Sequence, residues 1–264
     1  MTYTFIDKSF KKTAGDAARD LVEQHNDRRF LSRDRGVVSV SDSRWREAQE
    51  AERHGWMQLW RNETEDRNSF HASLFEDYLP LQGMQFRNAI ELGCGPFTNI
   101  RLLGRVAEIG AISLLDPLID EYVNHPNCSY RDRLLFFGPQ KFTYVDRLVA
   151  SPIEDFASAA EFDLVLLINV IEHCRDFDRV VEVIWSMLAP GGVFVFHDHC
   201  YRHADVAAAL DRHFDAAHPL RVDRAALDQF LARFEMIFHR VVVTGGKAPR
   251  SGPGEMIYFI GRKP

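Results

Sequence analysis

The chain has 264 residues, 46% of them apolar and 27% charged, and a net charge of −6. This composition excludes a collagen-like rod, a disulfide scaffold and a disordered tail, and fits one large domain or a domain with an extension. The acidic balance, with no run of five basic residues, argues against a nucleic-acid partner.

No apolar run nears the ~20 residues of a membrane-crossing helix, and the first residues carry no secretory apolar region. A cytoplasmic protein without membrane contact is therefore expected. Cys94, Cys128, Cys174 and Cys200 form no C-x-x-C pair, so reduced and mostly buried thiols are expected.

Residues 1–86 read as a helical and irregular extension. Within it, residues 43–60 have helical spacing and place Trp45, Gln49, Glu52 and Trp56 on one face. A carboxylate and an amide among indoles suit a sugar or a cationic amine, although the same face would also serve as packing. Trp45, Glu52 and Trp56 are the candidate acceptor contacts. Residues 66–79 predict a second helix, with Phe70, Leu74 and Tyr78 at helical spacing.

From residue 87 onward, short apolar runs alternate with helical stretches, the pattern of a parallel sheet. Strands are expected at 88–92, 111–115, 146–150, 163–168 and 193–196. Helices are expected from about residue 98 and over about 178–188, the latter stopped by Ala189-Pro190-Gly191-Gly192. Two amphipathic stretches follow, at 203–214 and 223–234, with Asp223 as N-cap of the second. His218 lies between them, either walling a pocket or packing. The last two strands, 240–244 and 255–260, are joined by a loop (245–254) too short for a crossover helix, so they should pair antiparallel.

The segment Ala89-Ile90-Glu91-Leu92-Gly93-Cys94-Gly95-Pro96-Phe97-Thr98-Asn99 runs a buried strand into two glycines and a helix start. Glycines there let the backbone approach a ligand at the carboxyl end of the strand. The dinucleotide fingerprint G-x-G-x-x-G is broken at Thr98, and Pro96-Phe97 crowds the place of a pyrophosphate. Asp116, at the end of the next strand, suits the two hydroxyls of a ribose.

Four segments in order, IELGCG (90–95), LLDPL (114–118), FDLVLLINVIEHC (162–174) and LAPGGVFVF (188–196), resemble the class I S-adenosylmethionine-dependent methyltransferases. The resemblance implies an α/β fold: a Rossmann-like, doubly wound, mostly parallel seven-stranded sheet with a terminal antiparallel β-hairpin. It also implies a cofactor domain over 87–264, with 1–86 as a helical extension or lid. S-adenosyl-L-methionine is the implied cofactor. Gly93, Cys94 and Gly95 would pass under its methionine part, with Glu91 orienting the amino group. Asp116 and Pro117 would take the ribose, Ile153 and Glu154 would flank the adenine, and Asn169 would meet the methionine end. The sequence departs from the family pattern at Phe97, in place of a third glycine, and at Pro152, where an acidic residue is common.

The implied activity is methyl transfer to an oxygen or nitrogen of a small polar metabolite, with a sugar or natural-product intermediate favoured. The alternatives are a nicotinamide-dependent oxidoreductase on a related fold and a non-catalytic cofactor-binding module. The partner is a small-molecule methyl acceptor, and a homo-oligomer is left open. The candidate bases are His173, His197 and His199. His197 and His199 alternate on one strand, which also suits a divalent metal or a polar substrate, but no metal ligands are assigned.

Overall fold

The computed structural model describes residues 30–62, 67–202, 216–243 and 255–264. The expected amphipathic stretch 203–214 and the loop 245–254 lie outside them, as does Asp66 at the start of the second expected helix. Among the described residues, no helix is long and apolar enough to cross a membrane.

The described residues begin with a hairpin, β1 (Phe30–Asp34) and β2 (Val37–Val40), followed by α1 (Asp42–His54). Ser41 caps α1 by accepting from the Arg44 amide, and α1 runs into one wider turn over Gly55–Leu59. Next come α2 (Arg67–Leu74), β3 (Gln85–Leu92), α3 (Ile100–Leu103), β4 (Glu108–Leu115) and α4 (Ile119–Tyr122). A second hairpin, β5 (Leu134–Phe136) and β6 (Phe142–Tyr144), precedes β7 (Arg147–Val149) and β8 (Phe162–Ile168). The described chain continues through α5 (Phe177–Met187), β9 (Leu188–Cys200), β10 (Arg221–Val222), α6 (Arg224–Leu231), β11 (Glu235–Val243) and β12 (Glu255–Arg262).

The seven-stranded sheet has the order β11-β12-β9-β8-β3-β4-β7. Only β12 runs against the others, pairing antiparallel with β9 and β11, as the terminal hairpin requires. Alternate side chains feed two cores. Ile90, Val165, Leu167, Phe194 and Phe196 pack with α5 and α6 on one face. Ala89, Leu164, Leu166, Val193 and Val195 pack with Phe75, Tyr78 and Ile100 on the other. A sheet covered on both faces accounts for the near-continuous apolar reading of its strands. Asp223 caps α6, accepting from Ala226 N at 2.9 Å, as expected. All four cysteines are free thiols.

Two expectations for the extension need correction. It is not wholly helical and irregular, because β1, β2 and β10 form a small antiparallel sheet. β1 and β2 form a local hairpin, but the other partner of β2, β10, is a two-residue strand far along the chain, so no local pattern announces that pairing. The second helix also stops early. Glu76, Asp77 and Tyr78 all have positive φ, and the chain turns over there. Helical spacing would have put Tyr78 on the face of Phe70, which is 55% exposed. The turn instead buries Tyr78 against Phe75, with ring centroids 5.2 Å apart. The 86/87 boundary falls inside β3.

Candidate active site

A cavity of about 430 Å³ lies at the carboxyl ends of β3, β4, β8 and β9, with residues of α1 and α2 on its other side. Of the residues singled out in the sequence, it is lined by Trp45, Gln49, Glu52, Trp56, Gly93, Cys94, Gly95, Asp116, Pro117, Ile153, Glu154, Asn169, His173 and His199. Glu91 and His197 do not line it. The order of the strands spreads these groups out. β4 and β9 stand three steps apart, or about 14 Å at ~4.8 Å per step. Asp116 and His199 thus mark two separate ends.

At the β4 end, the glycine turn is built around Glu91. Its buried carboxylate accepts from Asn99 N at 2.9 Å, Asn99 Nδ2 at 2.8 Å and Ile100 N at 3.1 Å, and from the Thr98 hydroxyl. The side chain assigned to the cofactor's amino group is therefore spent on capping α3 and shaping the turn. Glu91→Ala is expected to cost about 2–4 kcal/mol of stability by orphaning buried donors. Urea unfolding checks this, and an unchanged midpoint would return Glu91 to ligand binding.

Gly93 and Gly95 have φ of +66° and +53°. A Cβ on Gly93 would stand 2.5 Å from Val170 Cγ1, whereas one on Gly95 would meet nothing within 4 Å. Beside them Asp116 accepts from Gly95 N at 3.0 Å with Oδ2 and from Leu118 N at 2.9 Å with Oδ1. Burial pushes its carboxyl up to about 7. Glu154 lines the cavity, and its Oε1 accepts from Arg175 N at 2.8 Å and Asp176 N at 3.2 Å, so this oxygen braces the start of α5. Pro152 and Ile153 provide apolar surface there.

At the β9 end, Glu172 stands among His173, His199, His218 and Tyr201, all of which line the cavity. Tyr201 donates to Glu172 Oε2 at 2.8 Å. Oε1 is 3.6 Å from His199 Nδ1 and 3.5 Å from His218 Nε2. Burial would raise the Glu172 carboxyl, but the facing imidazoles outweigh it and hold it well below the usual range. Burial likewise opposes a charge on His199, and the Glu172 and Asp198 carboxylates reverse this, so its pKa is raised. His173 Nδ1 lies 3.1 Å from the Ala217 carbonyl, and its own carbonyl accepts from Trp45 Nε1 at 3.1 Å and Gln49 Nε2 at 3.3 Å.

His197 is corrected. It is 0% exposed, with Nδ1 3.0 Å from Ile257 O and its ring stacked on Tyr258 at 4.1 Å. Burial drives its pKa well down. It stands behind His71, whose ring is 4.4 Å away and does line the cavity. The reading of the Trp face also shifts. Trp56 Nε1 donates to Glu52 Oε1 at 2.7 Å, and the Arg67 guanidinium lies 4.7 Å over the Trp56 ring. A protein cation thus occupies a place the sequence suggested for a cationic acceptor. Sequence reasoning missed Arg67, His71 and Tyr201 as cavity residues and left His218 undecided. For His71, Tyr201 and His218 the signal is a local density of polar aromatic residues, whereas Arg67 reaches the cavity through tertiary folding.

A model of the methyltransferase domain matches residues 64–235, well over half of the chain. The chain belongs to this methyltransferase domain family. The methyltransferase resembles in fold the N-methyltransferase NodS of Bradyrhizobium japonicum WM9 crystallised with S-adenosylhomocysteine (TM-score 0.54, 17% identity, 84% of this chain and 100% of that one). It also resembles the 1,6-didemethyltoxoflavin-N1-methyltransferase of Burkholderia thailandensis, with bound 1,6-didemethyltoxoflavin and S-adenosylhomocysteine (TM-score 0.51, 15% identity, 89% and 98%). A methyltransferase-like protein of Bacillus halodurans C-125 covers 74% of this chain and 99% of its own (TM-score 0.53, 14% identity). No curated protein matches the sequence. The activity is S-adenosylmethionine-dependent methyl transfer. The residues fit that cofactor: open space beside the Gly95 backbone leaves room for it, and the Asp116 carboxylate borders the same cavity.

Proposed function

We propose that the methyl acceptor is an oxygen or nitrogen of a small polar metabolite, held at the β9 end of the cavity. One observation carries this reading: His173, His199 and His218 line the same cavity as Gly93, Asp116 and Asn169. The bound cofactor supplies an electrophilic methyl on a sulfonium that leaves readily. Gly93, Gly95, Asp116, Pro117 and Asn169 would hold it, with Ile153 beside the base. The protein's own task is then to orient the acceptor, exclude water and take a proton.

His199 is the best-placed base. It sits at the end of β9 with Nδ1 facing Glu172, which favours the protonated ring that forms as the acceptor loses its proton. His173 works as an anchor, fixed to the Ala217 carbonyl on one side and to α1 through its backbone on the other. In this reading α1, carrying Trp45, Gln49, Glu52 and Trp56, is the lid of an extension over residues 1–86, and Arg67 and His71 add polar contacts for the acceptor.

His199→Ala is expected to lower kcat by about 10²–10⁴-fold, the usual loss for a general base, with S-adenosylhomocysteine affinity unchanged. The assay follows S-adenosylhomocysteine release over a panel of hydroxylated and amino metabolites, before and after substitution. Turnover that survives the change would remove His199 from the chemistry.

A further inference from the structure

Glu172 is 5% exposed, and while its Oε2 accepts from the Tyr201 hydroxyl, its Oε1 faces two imidazoles. The Oε1 separations of 3.5 Å to His218 and 3.6 Å to His199 exceed the ~2.7–3.2 Å of a hydrogen bond to nitrogen. The separation to His218 lies near the ~3.3–3.4 Å between donor atoms of a tetrahedral zinc centre with bonds of ~2.0–2.1 Å. Glu172, His173 and His218 each offer one ligand atom, all within 4.8 Å of one another. The His173 and His218 rings meet edge to face with centroids 4.4 Å apart.

We propose that Glu172, His173 and His218 bind one divalent transition-metal cation at the acceptor end of the cavity. One carboxylate and two imidazoles suit zinc and its neighbours, and three protein ligands leave a coordination position for a small molecule. All three residues line the cavity, so that position faces the space where an acceptor enters. The cation would take an oxygen or nitrogen of the acceptor and weaken its bond to hydrogen. His199 stays outside the ligand set and receives the proton. This use of the cation rests on the placement of the acceptor proposed above, but the site itself does not.

A second grouping, Glu172, Asp198 and His199, also brings ligand atoms within 4.8 Å. It is the poorer site. Asp198 already accepts from Val170 N at 2.9 Å, Ile171 N at 2.6 Å and His199 N at 2.8 Å, which uses both its oxygens. In the sequence, a divalent metal is one of several uses open to His197 and His199, with no ligands assigned. The strand does continue, but it carries His197 into the core.

The test uses the purified full chain, stripped with a chelator and titrated with Zn²⁺ by calorimetry and with Co²⁺ by visible absorption. One equivalent should bind per chain, and Co²⁺ should give the intense absorption of a four-coordinate site. His218→Ala and Glu172→Gln should each weaken Zn²⁺ binding at least ~10-fold, with S-adenosylhomocysteine affinity retained as proof of folding. Absence of saturable binding, a weak six-coordinate Co²⁺ spectrum, or variants that bind as tightly as the parent would overturn the proposal. The parent titration decides the matter even where a variant fails to fold. Cation binding is read without turnover, so a failed acceptor screen and a failed metal site are told apart.

Discussion

Gly93→Ala is expected to destabilise the protein by about 2–5 kcal/mol and to abolish tight cofactor binding. Two costs add. An alanine at φ +66° meets the ~1–2 kcal/mol penalty of the left-handed region. Its Cβ would also stand 2.5 Å and 2.6 Å from the two Cγ atoms of Val170, an overpacking cost of ~1–3 kcal/mol. Val170 follows Asn169, so relief of the clash moves the β8 end of the cavity. Gly95→Ala provides the contrast. Its φ is +53°, but nothing lies within 4 Å of the added carbon. It should cost only about 1–2 kcal/mol of stability while still weakening the cofactor, because the methyl enters the cavity. Urea unfolding with S-adenosylhomocysteine titration separates the two. Adding Val170→Ala to Gly93→Ala should recover part of the stability, and no recovery would contradict the contact as the cause.

Asp116→Ala should weaken S-adenosylhomocysteine binding by about 10–100-fold, the loss of one or two hydrogen bonds to a charged acceptor. The pH dependence gives a second signature. Burial raises the free protein's Asp116 to about 7, above its ordinary value near 3.8. Hydroxyl donors favour the ionised carboxylate, so affinity should fall as pH drops below about 7, approaching tenfold per unit. The stability of the ligand-free fold moves the other way. A raised carboxyl pKa stabilises the fold at low pH, and that contribution is lost as pH rises through about 7. Calorimetry between pH 5 and 8 checks both. Affinity that is flat with pH in the parent would remove Asp116 from the ribose.

The cofactor end was legible because it depends on short-range sequence. Two glycines after a buried strand, and an acid at the end of the next, keep their meaning wherever the rest of the chain goes, and Gly93, Gly95 and Asp116 do line one cavity. Glu91 was misread because a carboxylate next to a ligand loop has two possible customers, and four donors from residues 98–100 claim it. The acceptor end was harder. His218 meets Glu172 only through tertiary folding. His197 and His199 looked alike in sequence. They differ because one abuts Tyr258 and His71, whereas the other reaches the cavity. The β2–β10 pairing joins residues far apart in the chain, where periodicity carries no information.

The most direct test of the two-ended cavity is a calorimetric titration with S-adenosylmethionine and S-adenosylhomocysteine, with NAD as control, on the parent, Asp116→Ala and His199→Ala proteins. The account predicts one-to-one binding of both sulfur compounds and none of NAD, weakened in Asp116→Ala and unchanged in His199→Ala. Tight binding that ignores Asp116, or that disappears with His199, would contradict it.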